Sequence, residues 1–194
     1  EMRIMAHLSE DDGLIDAFRS GEDLHTTVAS RVFGVSADEV DAEMRRRIKA
    51  MSYGLAYGLS AYGLSQQLDI TPDDARRLMD DYFERFGGVR DYLAEVVERA
   101  RMQGYTETML GRRRYLPDLA SQNRPIRQAA ERMAVNSVIQ GTAADVIKRA
   151  MVELDADLRS GAVPSARMIL QVHDELVFEV APAEREELTR RVLS

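Results

Sequence analysis

The sequence predicts an α+β protein in which a helical body is inserted into a small antiparallel sheet. Apolar residues recur at helical spacing over most of the chain. The strongest β-prone runs lie near the C-terminal end, where three polar residues separate them. No Pro- or Ser-rich linker divides the 194 residues, and 45% of them are apolar, which is enough for one compact domain or two small ones.

Start and stop signals set the predicted elements of the first half. Ser9 and Asp12 resemble a capping box, and Gly21 and Gly34 follow apolar runs as helix stops. A further helix begins after Ser36 or Asp38. These signals predict an apolar element over 2–8 and helices over 13–19, 22–33 and from 37 or 39 to 55.

The last of these helices has a continuous apolar stripe at Met44, Ile48, Met51 and Leu55, which are spaced four, three and four residues apart. Its end is weak, because glycine inside a helix costs about 1 kcal/mol relative to alanine and Tyr-Gly-Leu occurs three times from Tyr53 onward. Either the helix stops at Gly58 and Gly63, or the segment bends over a substrate.

The second half adds helices and two hairpins. Thr71 and Pro72 are an N-cap followed by proline at the first helical position. Gly104 ends a further helix, and Gly141 interrupts a long one only weakly. The predicted elements are helices over 72–86, 89–102 and 126–158, a hairpin or ordered loop over 105–117, strands over 168–172 and 176–180, and a charged helix over 182–193.

Charge is segregated along the chain. The net charge is −7, yet residues 101–150 contain nine basic and four acidic side chains, so a folded protein could present one basic face. Without cysteine, there is no disulfide framework and no thiolate metal site. Because there is no run of about 18 apolar residues and no basic-then-apolar leader, we expect a cytoplasmic protein without a membrane partner.

One helix face combines two cations and two aromatic rings. Arg45, Lys49, Tyr53 and Tyr57 recur every four residues, so each lies about 40° round the helix from the last, opposite the apolar stripe. Such a face can bind a polyphosphate through its cations while a ring stacks on a base. A solvated basic face whose rings cover the core would have the same spacing.

Three further groups of residues could bind a metal ion or a nucleic acid. His173, Asp174 and Glu175 form the tip of the second hairpin, where two carboxylates could bind a hard cation such as Mg²⁺ or simply cap a turn. Arg112–Arg114 could clamp a phosphate backbone or form a solvated turn. A polar helix face could contact phosphates, sugars and base edges, or be plain surface; it contains Arg132, Asn136 and Gln140.

These motifs together resemble family A DNA polymerases. Residues 45–58 read RRRIKAMSYGLAYG, which is similar to the nucleotide-binding helix of that family, and residues 171–175 read QVHDE, which resembles its carboxylate hairpin. Residues 1–4, with Ala6 and His7, are similar to the segment after its first catalytic aspartate. The resemblance covers essentially the whole chain in the same order, and implies a right-hand polymerase with helical fingers inserted into a partial palm sheet.

The resemblance implies roles for the first helix face. Lys49 and Arg45 would hold the incoming triphosphate, and Lys49 would donate a proton to the leaving pyrophosphate. Tyr53 would stack on the incoming base and sugar, His25 would contact the phosphates, and Tyr57 would close the pocket at the templating position.

Other roles implied by the resemblance lie outside that helix. Glu1 would exclude a ribose 2′-hydroxyl, Asp174 would bind two catalytic Mg²⁺ ions, and Glu175 would support them. The residues that would contact the DNA are Arg132, Asn136, Gln140 and His173. The partners of the complete enzyme, expected to be a monomer, would be primer-template DNA and dNTP.

The same resemblance predicts the domain organisation. Residues 1–21 would belong to the palm, 22–125 to the fingers, and 126–194 to the palm with its carboxylate hairpin. The first catalytic aspartate would lie four residues before Glu1, so we expect a piece of a longer protein that does not polymerise alone.

Two other classes of function stay open at the sequence level. A non-catalytic DNA-binding module would use the basic residues of 101–150 and the polar helix face that contains Arg132. It would not need Lys49, Tyr53 and Asp174 together. A metal-dependent nuclease would need the carboxylates but no helix that stacks on a base.

Overall fold

A computed structural model describes residues 1–21, 23–173 and 175–193 of the chain. These ranges contain nine α-helices and two antiparallel sheets of two strands each, which confirms the α+β fold class. The chain divides into two compact units, which we call unit 1 (residues 1–143) and unit 2 (residues 144–194). The predicted palm and finger boundaries stay a prediction. Among the described helices, none has both the length and the apolar character that a bilayer crossing requires.

Unit 1 begins with three short helices, and aspartates determine where two of them start. The helices are α1 (Met2–Ser9), α2 (Asp12–Arg19) and α3 (Leu24–Phe33). Asp11 caps α2, accepting a hydrogen bond from the backbone N–H of Leu14 at 3.0 Å, and Asp23 caps α3. The predicted capping box of Ser9 and Asp12 is wrong, because the residue immediately before α2 supplies the acceptor. The predicted start of α3 at Glu22 lies outside the described residues.

Helix α4 spans Ala42–Ala56 and begins later than the sequence predicts. A 3-10 turn over Ala37–Glu39 comes first, closed by the capping box that Ser36 makes with Glu39. Asp41 then caps α4, accepting from the backbone N–H of Met44 at 2.7 Å. Three residues of the predicted apolar stripe are buried, namely Ile48, Met51 and Leu55, and Met44 packs against them.

The main hydrophobic core of unit 1 surrounds α4. It joins the α4 stripe to apolar side chains of α1 and α3. Val135 and Ile139, from a later helix, enter the same core. Burial on this scale fixes the orientation of a helix, since each buried aliphatic side chain contributes about 1.5–3 kcal/mol. The side of α4 opposite the stripe is therefore held outward.

Three helices follow α4, namely α5 (Ala61–Leu68), α6 (Pro72–Arg85) and α7 (Gly87–Gln103). Helix α5 is not predicted from the sequence, where Gly63 is typical of a helix stop. Ser60 instead accepts from the Gly63 N–H at 3.2 Å and begins a new helix. The Thr71 cap of α6 is confirmed. Helix α7 begins two residues before the predicted Val89, since the second carboxylate oxygen of Asp11 accepts from the Gly88 N–H at 3.0 Å.

A hairpin and a long helix complete unit 1. Strands β1 (Tyr105–Glu107) and β2 (Arg113–Tyr115) pair antiparallel, as predicted, with Gly111 at positive φ between them. Helix α8 spans Arg124–Arg159, and its residues up to 143 belong to unit 1. The helix is not interrupted at Gly141. A Cβ there would lie 2.6 Å from the Thr108 methyl group, so the glycine allows the hairpin to approach.

Unit 2 contains the second predicted hairpin, which is confirmed. Strands β3 (Arg167–Val172) and β4 (Glu175–Glu179) pair antiparallel, with a register shift between Met168 and Leu170. A 3-10 turn over Pro182–Glu184 leads into helix α9, Arg185–Leu193. Several apolar side chains of this hairpin are exposed, namely Ile169, Leu170, Val172 and Val177.

Candidate functional site

The predicted helix face is exposed and lies beside α3. Tyr53 and Tyr57 are 38% and 41% exposed, and Arg45 and Lys49 are exposed too. The apolar stripe of α4 is buried on the other side, so the predicted separation of the two faces is correct. We call Arg45, Lys49, Tyr53 and Tyr57, with the α3 residues that contact them, the α3–α4 surface.

A bidentate ion pair between Arg45 and Asp23 lies at the N-terminal end of the α3–α4 surface. The Arg45 guanidinium donates from Nε to Asp23 Oδ1 at 3.1 Å and from a terminal nitrogen to Oδ2 at 3.0 Å. Asp23 also accepts hydrogen bonds from the Thr26 N–H and hydroxyl, each at 3.0 Å. The Arg45 hydrogen bond is the main cause that holds the pKa of the Asp23 carboxyl well below its usual range. The Asp23 carboxylate therefore both caps α3 and orients the Arg45 guanidinium.

His25 lies on the same surface, and its ring packs beside that of Tyr53. Its ring centroid is 6.3 Å from that of Tyr53, with the planes tilted by 36°. Its Nε2 atom is buried, and no atom in the described part of the chain pairs with it. Burial lowers the pKa of His25; the Asp23 charge opposes this, and Arg45 and Lys49 lower the pKa further. A neutral imidazole with a free nitrogen can accept or donate one hydrogen bond to a ligand.

Lys49 is an exposed cation of this surface. Its side chain is exposed, and no residue within 1–21, 23–173 or 175–193 forms an ion pair with it. Arg45, one turn earlier, is already paired with Asp23. The surface therefore offers one unpaired ammonium and one guanidinium whose carboxylate partner a phosphate could replace.

Close packing joins the end of α4 to α8. Gly58 has φ of 66°, and a Cβ there would lie 3.1 Å from the Arg132 Cα. The expectation that glycines weaken this helix end agrees with the end of α4 at Ala56. Gly58 also permits a backbone contact that the sequence did not reveal. The polar face of α8 thereby begins next to the aromatic end of α4.

The polar face of α8 lies within unit 1. Arg132 is exposed, and Gln140 is half-buried. The Asn136 side-chain oxygen is buried, and no hydrogen-bond partner lies among the residues described. A buried amide oxygen without a partner costs free energy, roughly 1–3 kcal/mol, so a donor that reached this oxygen would recover that free energy.

The predicted carboxylate hairpin lies in unit 2 and is described only in part. His173 is exposed, at φ of 54°, and its carbonyl accepts a hydrogen bond from the Gln171 side chain. Asp174 lies outside the described residues, whereas Glu175 is exposed at the start of β4. Among the residues described, no three acidic or histidine side chains form a metal-binding group.

The remaining residues of interest are Glu1, which the sequence analysis predicts, and Asp23. Glu1 is exposed at the N-terminal end of α1, where its carbonyl accepts from the Met5 N–H at 2.9 Å. Asp23, which the sequence analysis missed, is the central anion of the α3–α4 surface. Its signal in the sequence was an acidic residue directly before a helical run that begins with Leu24 and His25.

Known proteins match this chain over nearly its full length. The model of the family "DNA polymerase family A" matches residues 1–194. DNA polymerase I of Mycobacterium tuberculosis strain H37Rv is 68% identical over 186 residues, which cover 96% of this chain and 20% of that protein. DNA polymerase I of Geobacillus stearothermophilus is 49% identical over 192 residues, covering 99% of this chain and 22% of that protein. The chain thus spans about a fifth of the length of these relatives.

A solved structure has the same fold. It is the POL domain of Pol1 from M. smegmatis in complex with DNA primer-template and dNTP. The TM-score is 0.93 at 62% sequence identity, and the match covers 98% of this chain and 34% of that chain.

Proposed function

This chain belongs to DNA polymerase family A, and we propose that it forms the nucleotide-binding surface and part of the DNA-binding surface of a DNA-directed DNA polymerase. The polymerase would add a dNMP to the 3′-hydroxyl of a primer as the template directs. The α3–α4 surface is the observation that supports this proposal most strongly. It combines the exposed ammonium of Lys49, the paired Arg45 and the exposed ring of Tyr53 with a His25 nitrogen that has no partner among the described residues.

The cations of this surface suit a triphosphate. Arg45 and Lys49 would neutralise its charge, and His25 Nε2 would hydrogen-bond a phosphate oxygen. As the bond to the leaving pyrophosphate breaks, Lys49 would donate a proton to the leaving oxygen. The ring of Tyr53 would stack on the incoming base and sugar.

Two further residues would shape the pocket. Tyr57 would close it at the templating position, since the ring is exposed at the end of α4. Glu1 would exclude a ribose 2′-hydroxyl. The residues we propose to contact DNA near the primer end are Arg132, Asn136, Gln140 and His173.

Asp174 and Glu175 would hold a divalent metal, which we propose is Mg²⁺ as a pair of ions. Adjacent carboxylates supply the hard oxygen ligands that this cation prefers. When bound, the metal would stabilise charge on the attacking and leaving oxygens. The resemblance implies one more metal-binding aspartate four residues before Glu1, so we propose that the 194 residues alone do not extend a primer.

The proposal also covers the partners, the oligomeric state and the cellular location of the enzyme. Primer-template DNA and dNTP would be the partners of a complete polymerase that works as a monomer. The matching relatives are bacterial, and in bacteria these substrates meet in the cytoplasm.

Primer extension by a complete polymerase, meaning a full-length DNA polymerase that contains this sequence, tests the proposal. We expect template-directed growth that requires dNTP. Binding of the DNA without growth would instead favour a non-catalytic DNA-binding module, and shortening of the primer without dNTP-dependent growth would favour a nuclease.

A further inference from the structure

Three consecutive arginines, Arg112–Arg114, follow the turn of the β1–β2 hairpin, and the proposed function uses none of them. Side chains of successive strand residues point to opposite faces. Arg113 and Arg114 therefore face different surroundings, although they are adjacent and carry the same charge. The contacts on the two faces show which of them is available to a ligand.

Arg113 is already satisfied within the hairpin. Its Nε donates to the Glu107 carboxylate at 2.7 Å, and the guanidinium carbon lies 4.7 Å from the centre of the Tyr105 ring. Tyr105 in turn packs on Tyr115, with ring centroids 5.6 Å apart. The Glu107 hydrogen bond is the main cause that raises the pKa of Arg113. On this face of the hairpin, Glu107 neutralises the charge of Arg113.

Arg114 projects on the other face, toward α8. It pairs across the hairpin with Thr106, which is only 4% exposed. A terminal nitrogen of Arg114 lies 3.5 Å from the Met133 sulfur, which is a weak acceptor. In the described part of the chain no carboxylate forms an ion pair with Arg114, and its side chain is exposed. Most donors of this guanidinium are therefore available.

Met133 places Arg114 at the border of the polar face of α8. Met133 directly follows Arg132 in the sequence and is seven residues before Gln140. Seven residues are nearly two helical turns, so the side chains of Met133 and Gln140 leave the helix within about 20° of each other. Arg114 thus extends the face that contains Arg132, Asn136 and Gln140. Residues 101–150 contain nine basic against four acidic side chains, so the local charge is positive.

The hairpin is anchored, so the position of Arg114 relative to α8 is fixed. The Met109 N–H donates to the Thr142 hydroxyl at 3.1 Å. Thr108 packs against Gly141, where a side chain would clash. Both contacts lie in unit 1, as does Met133. A cation on an anchored hairpin can bind a ligand without first ordering a loop.

We propose that Arg114, together with Arg132, binds a backbone phosphate of the DNA that lies along the polar face of α8. This inference rests on the proposed function and deepens it, because it assigns a phosphate contact to a hairpin outside the nucleotide site. The contact reads charge and not base sequence. Arg113 makes no such contact, because Glu107 and Tyr105 hold its guanidinium on the opposite face of the hairpin.

The salt dependence of DNA binding tests the assignment. In the complete polymerase, primer-template affinity is measured by fluorescence anisotropy over a series of KCl concentrations for wild type, Arg114→Gln and Arg113→Gln. Both substitutions remove one charge, so they change the long-range field equally. We expect Arg114→Gln to reduce the slope of log K against log salt by about 0.9, as one lost phosphate contact should. Arg113→Gln should keep the wild-type slope.

Two further measurements keep the result interpretable. Arg114→Lys restores the charge and should restore the slope, and circular dichroism checks that each variant is folded. An unchanged slope in folded Arg114→Gln, or an equal change in Arg113→Gln, overturns the inference. Failure of the proposed function is a separate result, because then the wild-type polymerase would not extend the primer at all.

Discussion

The α3–α4 surface and the β3–β4 hairpin differ in how their polar groups are held. On the α3–α4 surface, contacts between two helices orient the side chains, as in the pair of Asp23 with Arg45. On the hairpin, the hydrogen bond that the described residues give His173 is local, since it comes from Gln171, two residues away. The first surface is therefore built within this chain, whereas we expect the second to depend on the rest of a complete polymerase. Substitutions in the two regions should fail in different ways.

The largest expected effect lies in the hairpin. In the complete polymerase, Asp174→Asn should lower the rate of nucleotide incorporation by roughly 10³-fold, because an amide is a poor ligand for a hard divalent metal. Affinity for primer-template should stay within about threefold of wild type, because one carboxylate contributes little to DNA binding. Single-turnover kinetics and anisotropy measure the two quantities. A large loss of DNA affinity would remove the contrast between the regions.

Lys49→Ala tests the exposed ammonium of the α3–α4 surface. We expect incorporation at saturating dNTP to fall by about 10²-fold, since a proton donor to the leaving group is lost. The matched control is Lys148→Ala, because Lys148 is the other lysine of the chain, is exposed, and lies in unit 2. Equal losses in both variants would contradict the role of Lys49.

Tyr53→Phe tests what the Tyr53 hydroxyl contributes to the choice of nucleotide. The resemblance to family A polymerases, many of which have Phe at this position, implies that the Tyr53 hydroxyl partly replaces the missing 3′-hydroxyl of a dideoxynucleotide. We expect the variant to incorporate dideoxynucleotides about tenfold less readily relative to deoxynucleotides, which is the value of one hydrogen bond to a charged group. Competition between the two substrates measures the ratio, and an unchanged ratio would rule out this role.

Asp23→Asn should have the smallest effect. Asparagine keeps the cap of α3, so the substitution isolates the carboxylate charge that occupies Arg45. We expect the KM for dNTP to fall by about threefold, because a triphosphate no longer displaces a half-exposed ion pair worth under about 1 kcal/mol. Steady-state kinetics measures the change. A higher KM would show that Asp23 positions Arg45 for the phosphates and does not compete with them.

Local signals in the sequence predicted much of the fold. Thr71 with Pro72 marked the start of α6, and the spacing of Ile48, Met51 and Leu55 identified the buried side of α4. Such signals are contained in neighbouring residues, so one sequence is enough to find them. The exposed face of α4 followed from the same periodicity.

Contacts between distant segments could not be predicted in this way. Asp11 caps both α2 and α7, which begin 75 residues apart at Asp12 and Gly87, and this explains the missed start of α7. The ion pair of Asp23 with Arg45 and the approach of Gly58 to Arg132 are likewise tertiary. No periodic pattern encodes such pairs, because they depend on how helices pack.

Ligands that differ only in their phosphates test whether the α3–α4 surface binds a triphosphate. Equilibrium binding of dNTP and of dNMP to the complete polymerase, on a primer that cannot be extended, is measured for wild type and Lys49→Ala. If the α3–α4 surface binds the triphosphate, Lys49→Ala weakens dNTP binding by about tenfold and leaves dNMP binding unchanged. Equal weakening for both ligands, or none for either, would contradict triphosphate binding by Lys49.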